Sequence, residues 1–117
     1  MSTPTRRFAE RYVGITNSEQ YEQLSELFAE DAVFLAPNGR VLNGREEIGN
    51  FYEEFLPQLK GKLKLVTFVE DGNSCAYELE AKLEGEEEYL LSAIDHATLD
   101  ADGLVQRFAV YTRVTGR

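Results

Sequence analysis

The residue best suited to chemistry in this sequence is Asp95, a carboxylate within an apolar strand pattern. Successive residues of a β-strand alternate between its two faces, and one face of segment 89–99 carries Leu91, Ala93, Asp95, Ala97 and Leu99. If this face points inward, burial raises the pKa of Asp95 and favours the neutral acid, which can donate a strong hydrogen bond to a ligand oxygen. The same pattern also fits a face exposed to solvent, or a carboxylate satisfied by a neighbouring backbone group.

Two tyrosines lie on the apolar faces of predicted helices. Tyr12 lies between Phe8 and Ile15, at helical spacings of four and three residues, and Tyr52 belongs to a later helical face. A buried tyrosine hydroxyl needs a hydrogen-bond partner, so each tyrosine is either a core residue or a ligand contact. His96 follows Asp95 and points to the opposite face of the sheet, where we interpret it as a surface or interface residue.

The counts of metal-binding and nucleophilic residues exclude several chemistries. The chain has one histidine and one cysteine, Cys75, so it cannot form a multi-histidine zinc site. It lacks the Gly-x-Gly-x-x-Gly and phosphate-loop motifs of nucleotide binding and the Gly-x-Ser-x-Gly motif of many hydrolases. We therefore expect no metal and no cofactor, and an enzyme built on this chain would use carboxylates, tyrosines and cavity shape.

The first half of the chain has the periodicity of helices. After the helix that carries Tyr12, Ser18 is predicted to N-cap a second helix with the apolar residues Tyr21, Leu24, Leu27 and Phe28. A short strand at 32–36 and a tight turn at Asn38 and Gly39 follow. Asn43 and Gly44 are predicted to open a third helix, ended by Pro57 and Gly61, with the apolar face Ile48, Phe51, Tyr52, Phe55 and Leu56.

The second half has the alternation and the turn residues of antiparallel strands. Predicted strands at 63–69, 75–83, 89–99 and 104–114 are separated by turns at 70–73, 84–86 and 100–103. Helices followed by a strand meander predict a single α+β domain over residues 1–117. In this fold three N-terminal helices pack on the concave face of a cone-shaped, curved antiparallel sheet, whose open mouth can admit a small ligand.

The charge balance limits the partners. The chain has 12 basic and 21 acidic residues and a formal net charge of −9, so we expect neither nucleic acid nor an anionic membrane to bind it. No apolar run approaches the ~20 residues that span a bilayer, and the N-terminal residues lack the apolar core of a signal peptide. A lone cysteine forms no intrachain disulfide, and we predict a cytoplasmic location.

The sequence resembles the ketosteroid isomerases, and more broadly the SnoaL-like members of the nuclear transport factor 2-like superfamily. The resemblance spans about residues 5–114 and depends on the order and spacing of short motifs: RYV at 11–13, LFAEDA at 27–32, PNG at 37–39, NGREEI at 43–48, FY at 51–52, AIDH at 93–96 and DG at 102–103. It implies the cystatin-like cone described above.

The resemblance also implies roles for several residues. In the isomerases a tyrosine and a protonated aspartate form an oxyanion hole for the carbonyl oxygen of a steroid, and these positions correspond to Tyr12 and Asp95. Tyr52 corresponds to the tyrosine that supports the first one. Phe28 stands where some members have a further phenol, and Phe51 is a further supporting or ligand-binding position.

The chain departs from the isomerases at the catalytic base. The resemblance places this aspartate just before Pro37, where the chain has Ala36, and segment 33–35 offers no carboxylate either. Positioned acid–base catalysis typically supplies about 10²–10⁴-fold in rate, so steroid isomerisation by the family's route should be severely reduced. Similar SnoaL-type cyclases use one aspartate, near the place of Asp95, as both acid and base.

Three hypotheses follow. The chain is an enzyme, an isomerase or a cyclase, acting on a small hydrophobic carbonyl or phenol compound; or it binds such a compound without chemistry; or side chains fill the interior and the sheet serves only dimerisation. The outer sheet face would carry Leu90, Ser92, Ile94, His96 and Thr98. This face is too apolar for a solvated strand, so we expect a homodimer.

Overall fold

A computed structural model describes residues 2–58, 62–83 and 89–116. The first element, helix α1 (Pro4–Asn17), begins where the Thr3 hydroxyl accepts a hydrogen bond from the backbone N–H of Arg6 at 3.2 Å. Proline suits this first turn because it has no backbone N–H to leave unpaired. The buried face of α1 consists of Thr5, Phe8, Ala9, Tyr12 and Thr16. The predicted first helix is therefore confirmed, with Tyr12 inside.

The second predicted helix is wrong in type and at both ends. A 3₁₀ helix forms at Tyr21–Leu27, and the backbone N–H of Ser18 caps the end of α1 by donating to the Gly14 carbonyl at 3.0 Å. Phe28 is the first residue of strand β1 (Phe28–Leu35), which starts before the predicted strand at 32–36. Leu24 and Leu27 are both buried, since a spacing of three residues suits a 3₁₀ helix as well as an α-helix.

The turn and the third helix lie where the sequence predicts them. Gly39, with φ of +87°, lies in the turn that leads to β2 (Val41–Asn43), a short strand that the sequence does not predict. Gly44, with φ of +92°, precedes helix α2 (Arg45–Phe55), and one 3₁₀ turn (Leu56–Gln58) follows it. The conformation at Gly44 favours glycine. Gly61, predicted to end this helix, lies outside the described residues.

One curved, unclosed sheet contains every described strand. The remaining strands are β3 (Lys64–Asp71), β4 (Ser74–Leu83), β5 (Tyr89–Leu99) and β6 (Val105–Gly116), and the order across the sheet is β2-β1-β6-β5-β4-β3. Neighbours are antiparallel, as predicted, except for β1 and β6, which are parallel. A parallel pair needs a long connection, and here the chain between β1 and β6 supplies it. The predicted turn at 84–86 falls outside the described ranges.

The helices pack on the concave face of this sheet and enclose an aromatic core. Phe8, Phe28, Phe34, Tyr52 and Phe108 are all buried there, and neighbouring ring centroids are separated by 5.4 to 6.0 Å. The predicted α+β architecture is confirmed. Across the described ranges, no helix has the length and apolarity needed to cross a membrane.

Candidate ligand-binding and active site

A cavity of about 240 Å³ lies between the helices and the concave face of the sheet. Its wall is mostly apolar, with aromatic rings from Phe34, Phe51 and Phe55. Polar side chains at the wall include Tyr12, Tyr52 and Asp95. The hypothesis that side chains fill the interior predicts no such space. In the described part of the chain, no group of three or more His, Cys, Asp or Glu residues is arranged to hold a metal ion.

Asp95 lies in the middle of β5 and is 2% exposed. Burial raises its pKa from 3.8 to about 7, although the hydroxyl of Tyr77 acts to lower it. No described residue donates a hydrogen bond to Asp95 Oδ2, which is enclosed. Asp95 nevertheless lines the cavity. The solvent-facing alternative for this strand face is therefore wrong.

Tyr12 and Tyr52 form a buried phenol pair at the same wall. Their hydroxyl oxygens are hydrogen-bonded at 3.0 Å, and their rings meet edge to face with centroids 5.9 Å apart. Burial raises the pKa of both phenols well above the ordinary value, so both stay neutral. A hydroxyl can rotate, so a ligand that accepts the Tyr12 proton leaves Tyr12 to accept from Tyr52. The negative charge of Asp95 also raises the pKa of Tyr12, as expected for neighbouring groups.

Three further predicted positions divide between the cavity wall and the layer behind it. Ala36 and Phe51 line the cavity, and Ala36 lies on the same face of the chain as Phe34, which is also part of the wall. Phe28 does not line the cavity but packs its ring against Tyr52 with centroids 6.0 Å apart. Phe28 therefore lies in the layer behind the cavity wall, against the phenol pair.

Three described glutamates, Glu10, Glu78 and Glu80, do not direct a carboxylate into the cavity. Glu10 pairs with Arg6 on the exposed side of α1, and Glu78 lines a groove on the outer face of the sheet. Glu80 borders the cavity, but strand alternation directs its side chain away from the face that carries Leu79 and Ala81. Asp95 is therefore the carboxyl group that this geometry presents to a ligand.

Tyr77 lies beside the site, although nothing in the sequence pattern of the predicted strand at 75–83 singles it out. The Cα atom of Tyr77 pairs with that of Asp95 across β4 and β5, and the Tyr77 side chain is 1% exposed. Its hydroxyl has no hydrogen-bond partner among the described residues. The signal that would have found it is the register of the β4–β5 hairpin.

Comparisons with known proteins agree with this architecture. The family model of the SnoaL-like domain matches residues 9–108, and no curated protein matches the chain. A protein from Kribbella flavida, whose assignment as a ketosteroid isomerase is provisional, is 26% identical with a TM-score of 0.79, over 94% of this chain and 78% of that one.

Two more distant structures share the fold. A steroid delta-isomerase from Pseudomonas aeruginosa is 23% identical with a TM-score of 0.78, over 97% of this chain and 82% of that one. A de novo designed protein with a curved β-sheet is 18% identical with a TM-score of 0.79, over 97% of this chain and 88% of that one. Because a designed protein has the same fold, the fold alone does not define the chemistry.

Proposed function

The chain belongs to the SnoaL-like domain family, and from that premise we propose that it binds a small hydrophobic carbonyl or phenol compound in the cavity, with its oxygen held by Tyr12 and Asp95. The family and the fold support a ligand-binding or isomerase-like function. The observation that carries the finer proposal is the buried Asp95 carboxyl, with a pKa of about 7, at the wall of an apolar cavity beside the Tyr12–Tyr52 pair.

These two side chains suit a ligand oxygen that gains negative charge. Near neutral pH a large share of Asp95 is protonated and donates a hydrogen bond, and Tyr12 donates a second. In a dry site such donors stabilise an enolate or a phenolate far better than water-exposed ones. This arrangement therefore favours ligands with one oxygen on an otherwise apolar skeleton.

The volume of the cavity limits the size of the ligand. Pockets for drug-sized molecules measure roughly 300–1,000 Å³, and this one measures about 240 Å³. A compound of one or two rings fits this space better than a four-ring steroid. We therefore propose a mono- or bicyclic ligand.

Catalysis by the route of the isomerases lacks its base, because Ala36 has no carboxyl group. A second candidate function, a cyclase that uses Asp95 as both acid and base, is favoured by the pKa of about 7, since a group with a pKa near the working pH can both give and take a proton. Binding without chemistry remains the alternative, and turnover of candidate substrates by wild type and Asp95→Asn separates the two.

The first test is titration with a naphthol at a pH near 6. We expect Tyr12→Phe and Asp95→Asn each to weaken binding by about 5- to 100-fold, because each removes or weakens a buried hydrogen bond to the ligand oxygen. Tyr21→Phe is the matched control, since Tyr21 does not line the cavity, and it should bind like wild type. Equal affinities for all four chains would refute the proposed oxygen site.

We also propose that the outer face of the sheet joins two copies of the chain. Ile94 and Tyr111 pair across β5 and β6 and are 47% and 62% exposed, and half-buried His96 lies on the same face. Glu78 and Arg113 line the same groove. A two-fold axis brings each surface against its own copy, so the acidic and basic side chains can pair between protomers.

Light scattering at micromolar concentration tests this proposal. Wild type should have the mass of a dimer, and Ile94→Lys should have the mass of a monomer because it places a charge in the apolar contact. The control is Asn50→Lys, which places the same charge on the exposed side of helix α2, away from the outer face of the sheet, and should stay dimeric. A monomeric wild type would refute the proposed interface.

The proposed location is a reducing compartment, the cytoplasm. Cys75 is buried and free, and burial raises the pKa of its thiol to about 11. The thiol therefore stays protonated and unreactive, in keeping with a structural role in the core.

A further inference from the structure

Tyr77 lies directly opposite Asp95 in the sheet. The β4–β5 register pairs their Cα atoms, and side chains of cross-strand partners lie on the same face of a sheet. The Tyr77 ring is buried among aromatic neighbours: its centroid is 6.2 Å from that of Phe8, 6.3 Å from Tyr12 and 6.5 Å from Phe68. Tyr77 does not line the cavity, so it approaches Asp95 from behind the site.

Two polar atoms at this contact have no hydrogen-bond partner in the described part of the chain. They are the Tyr77 hydroxyl oxygen and Asp95 Oδ2, and both are buried. Buried polar groups are nearly always paired, and each unpaired group costs stability. The phenol has an O–H to donate, and the carboxyl oxygen can accept it. Burial raises the pKa of both groups; the Asp95 charge raises that of Tyr77 further, and the Tyr77 hydroxyl acts to lower that of Asp95.

We infer that Tyr77 is a positioning residue that donates a hydrogen bond to Asp95 Oδ2 and thereby turns Oδ1 toward the ligand. A protonated carboxyl carries its hydrogen on one oxygen only. When Oδ2 accepts from Tyr77 as the carbonyl oxygen, which is the better acceptor, that hydrogen lies on Oδ1, and the inferred arrangement turns Oδ1 to the cavity that Asp95 lines. The inference rests on the proposed function, because it assigns the proton of Asp95 to the oxygen that meets the ligand.

The direct test is Tyr77→Phe, which keeps the ring and removes only the hydroxyl. The pKa of Asp95 is measured in the ligand-free protein by ¹³C NMR of its carboxyl carbon, assigned with Asp95→Asn. Loss of one donor to the ionised carboxyl should move the midpoint upward by about one pH unit. Tyr21→Phe, a change of the same kind away from Asp95, should leave the midpoint unchanged.

The possible outcomes separate this inference from the proposed function. A wild-type midpoint near 7 that does not move in Tyr77→Phe overturns the role of Tyr77 and leaves the proposed oxygen site intact. A wild-type midpoint near 4 contradicts the proposed function itself. If Tyr77→Phe does not fold, proton NMR of wild type above pH 8 decides: a slowly exchanging hydroxyl proton coupled to the Tyr77 ring supports the inference, and its absence overturns it.

Discussion

Ala36→Asp should raise the rate at which the chain isomerises a small β,γ-unsaturated cyclic ketone by about 10²–10⁴-fold, the usual contribution of a positioned base. The new carboxylate would take a proton from the carbon between the carbonyl and the double bond. Tyr12 and Asp95 would hold the resulting dienolate oxygen, and the carboxyl would return the proton to the far carbon. The rise in ultraviolet absorbance of the conjugated ketone measures the rate.

The location of Ala36 makes this the change with the largest expected effect on activity. Ala36 lines the cavity and follows the buried Phe34 on the inward face, so a longer side chain at this position extends toward the ligand. Ala36→Asn is the matched control, because it has the same size but no base, and it should stay at the wild-type level. An Ala36→Asp chain that folds and binds naphthol but isomerises no faster than Ala36→Asn would show that the geometry does not support this chemistry.

Asp95→Asn should make the protein more stable at alkaline pH. Burial raises the folded-state pKa of Asp95 from 3.8 to about 7, which corresponds to about 4 kcal/mol of destabilisation once the group is ionised. The pKa of Asp95 is higher in the folded state than in the unfolded state. The free energy of unfolding is therefore highest below about pH 4, and about 4 kcal/mol of it is lost as the pH rises from there through about 7. The neutral amide has no charge to bury, so the loss should disappear.

Urea unfolding of both chains without ligand measures this effect. Near pH 4 the two free energies of unfolding should be similar, and at about pH 8.5 the variant should be more stable by up to about 4 kcal/mol. Asp102→Asn, in an exposed turn, should follow wild type at both pH values. A variant less stable than wild type at about pH 8.5 would mean that the Asp95 carboxylate is stabilised by interactions the structure does not contain.

The destabilisation that buried Asp95 causes when it is ionised is itself a sign of a functional site. A buried ionisable group that a neutral isostere would stabilise is the kind of local conflict expected at functional sites. Asp95 is such a group, because its burial disfavours the charged form. Asp95 lines the cavity, where ligand binding can offset this cost.

The order of elements could be predicted from the sequence because periodicity is a local property. Strand β5 (Tyr89–Leu99) has the predicted ends, and helix α2 begins after the predicted Asn43–Gly44 signal. The prediction failed where two local structures suit the same residues. Leu24, Leu27 and Phe28 fit a helix face, but Phe28 belongs to a strand whose partner, β6, lies at the other end of the chain. Such distant pairing leaves no local signal.

The site could be predicted only in part, for a related reason. Alternation alone places Asp95 on an apolar face, and helical spacing does the same for Tyr12. Predicting that Tyr77 lies opposite Asp95 requires the register of the β4–β5 hairpin. That register depends on which residue lies at the centre of the turn between the two strands. A hairpin symmetric about residue 85, the middle of the predicted turn, would set Cys75 opposite Asp95, whereas the actual pairing is symmetric about residue 86.

The proton on Asp95 can be observed directly by a ¹³C NMR titration of its carboxyl carbon in wild type, with and without bound naphthol. We predict a midpoint near 7 in the free protein, because burial raises the pKa of Asp95 to about that value, and a higher midpoint with ligand, because the bound oxygen accepts from the protonated form. A midpoint near the ordinary 3.8 that naphthol does not change would mean that the carboxyl is ionised at neutral pH and cannot hold a ligand oxygen in the way proposed.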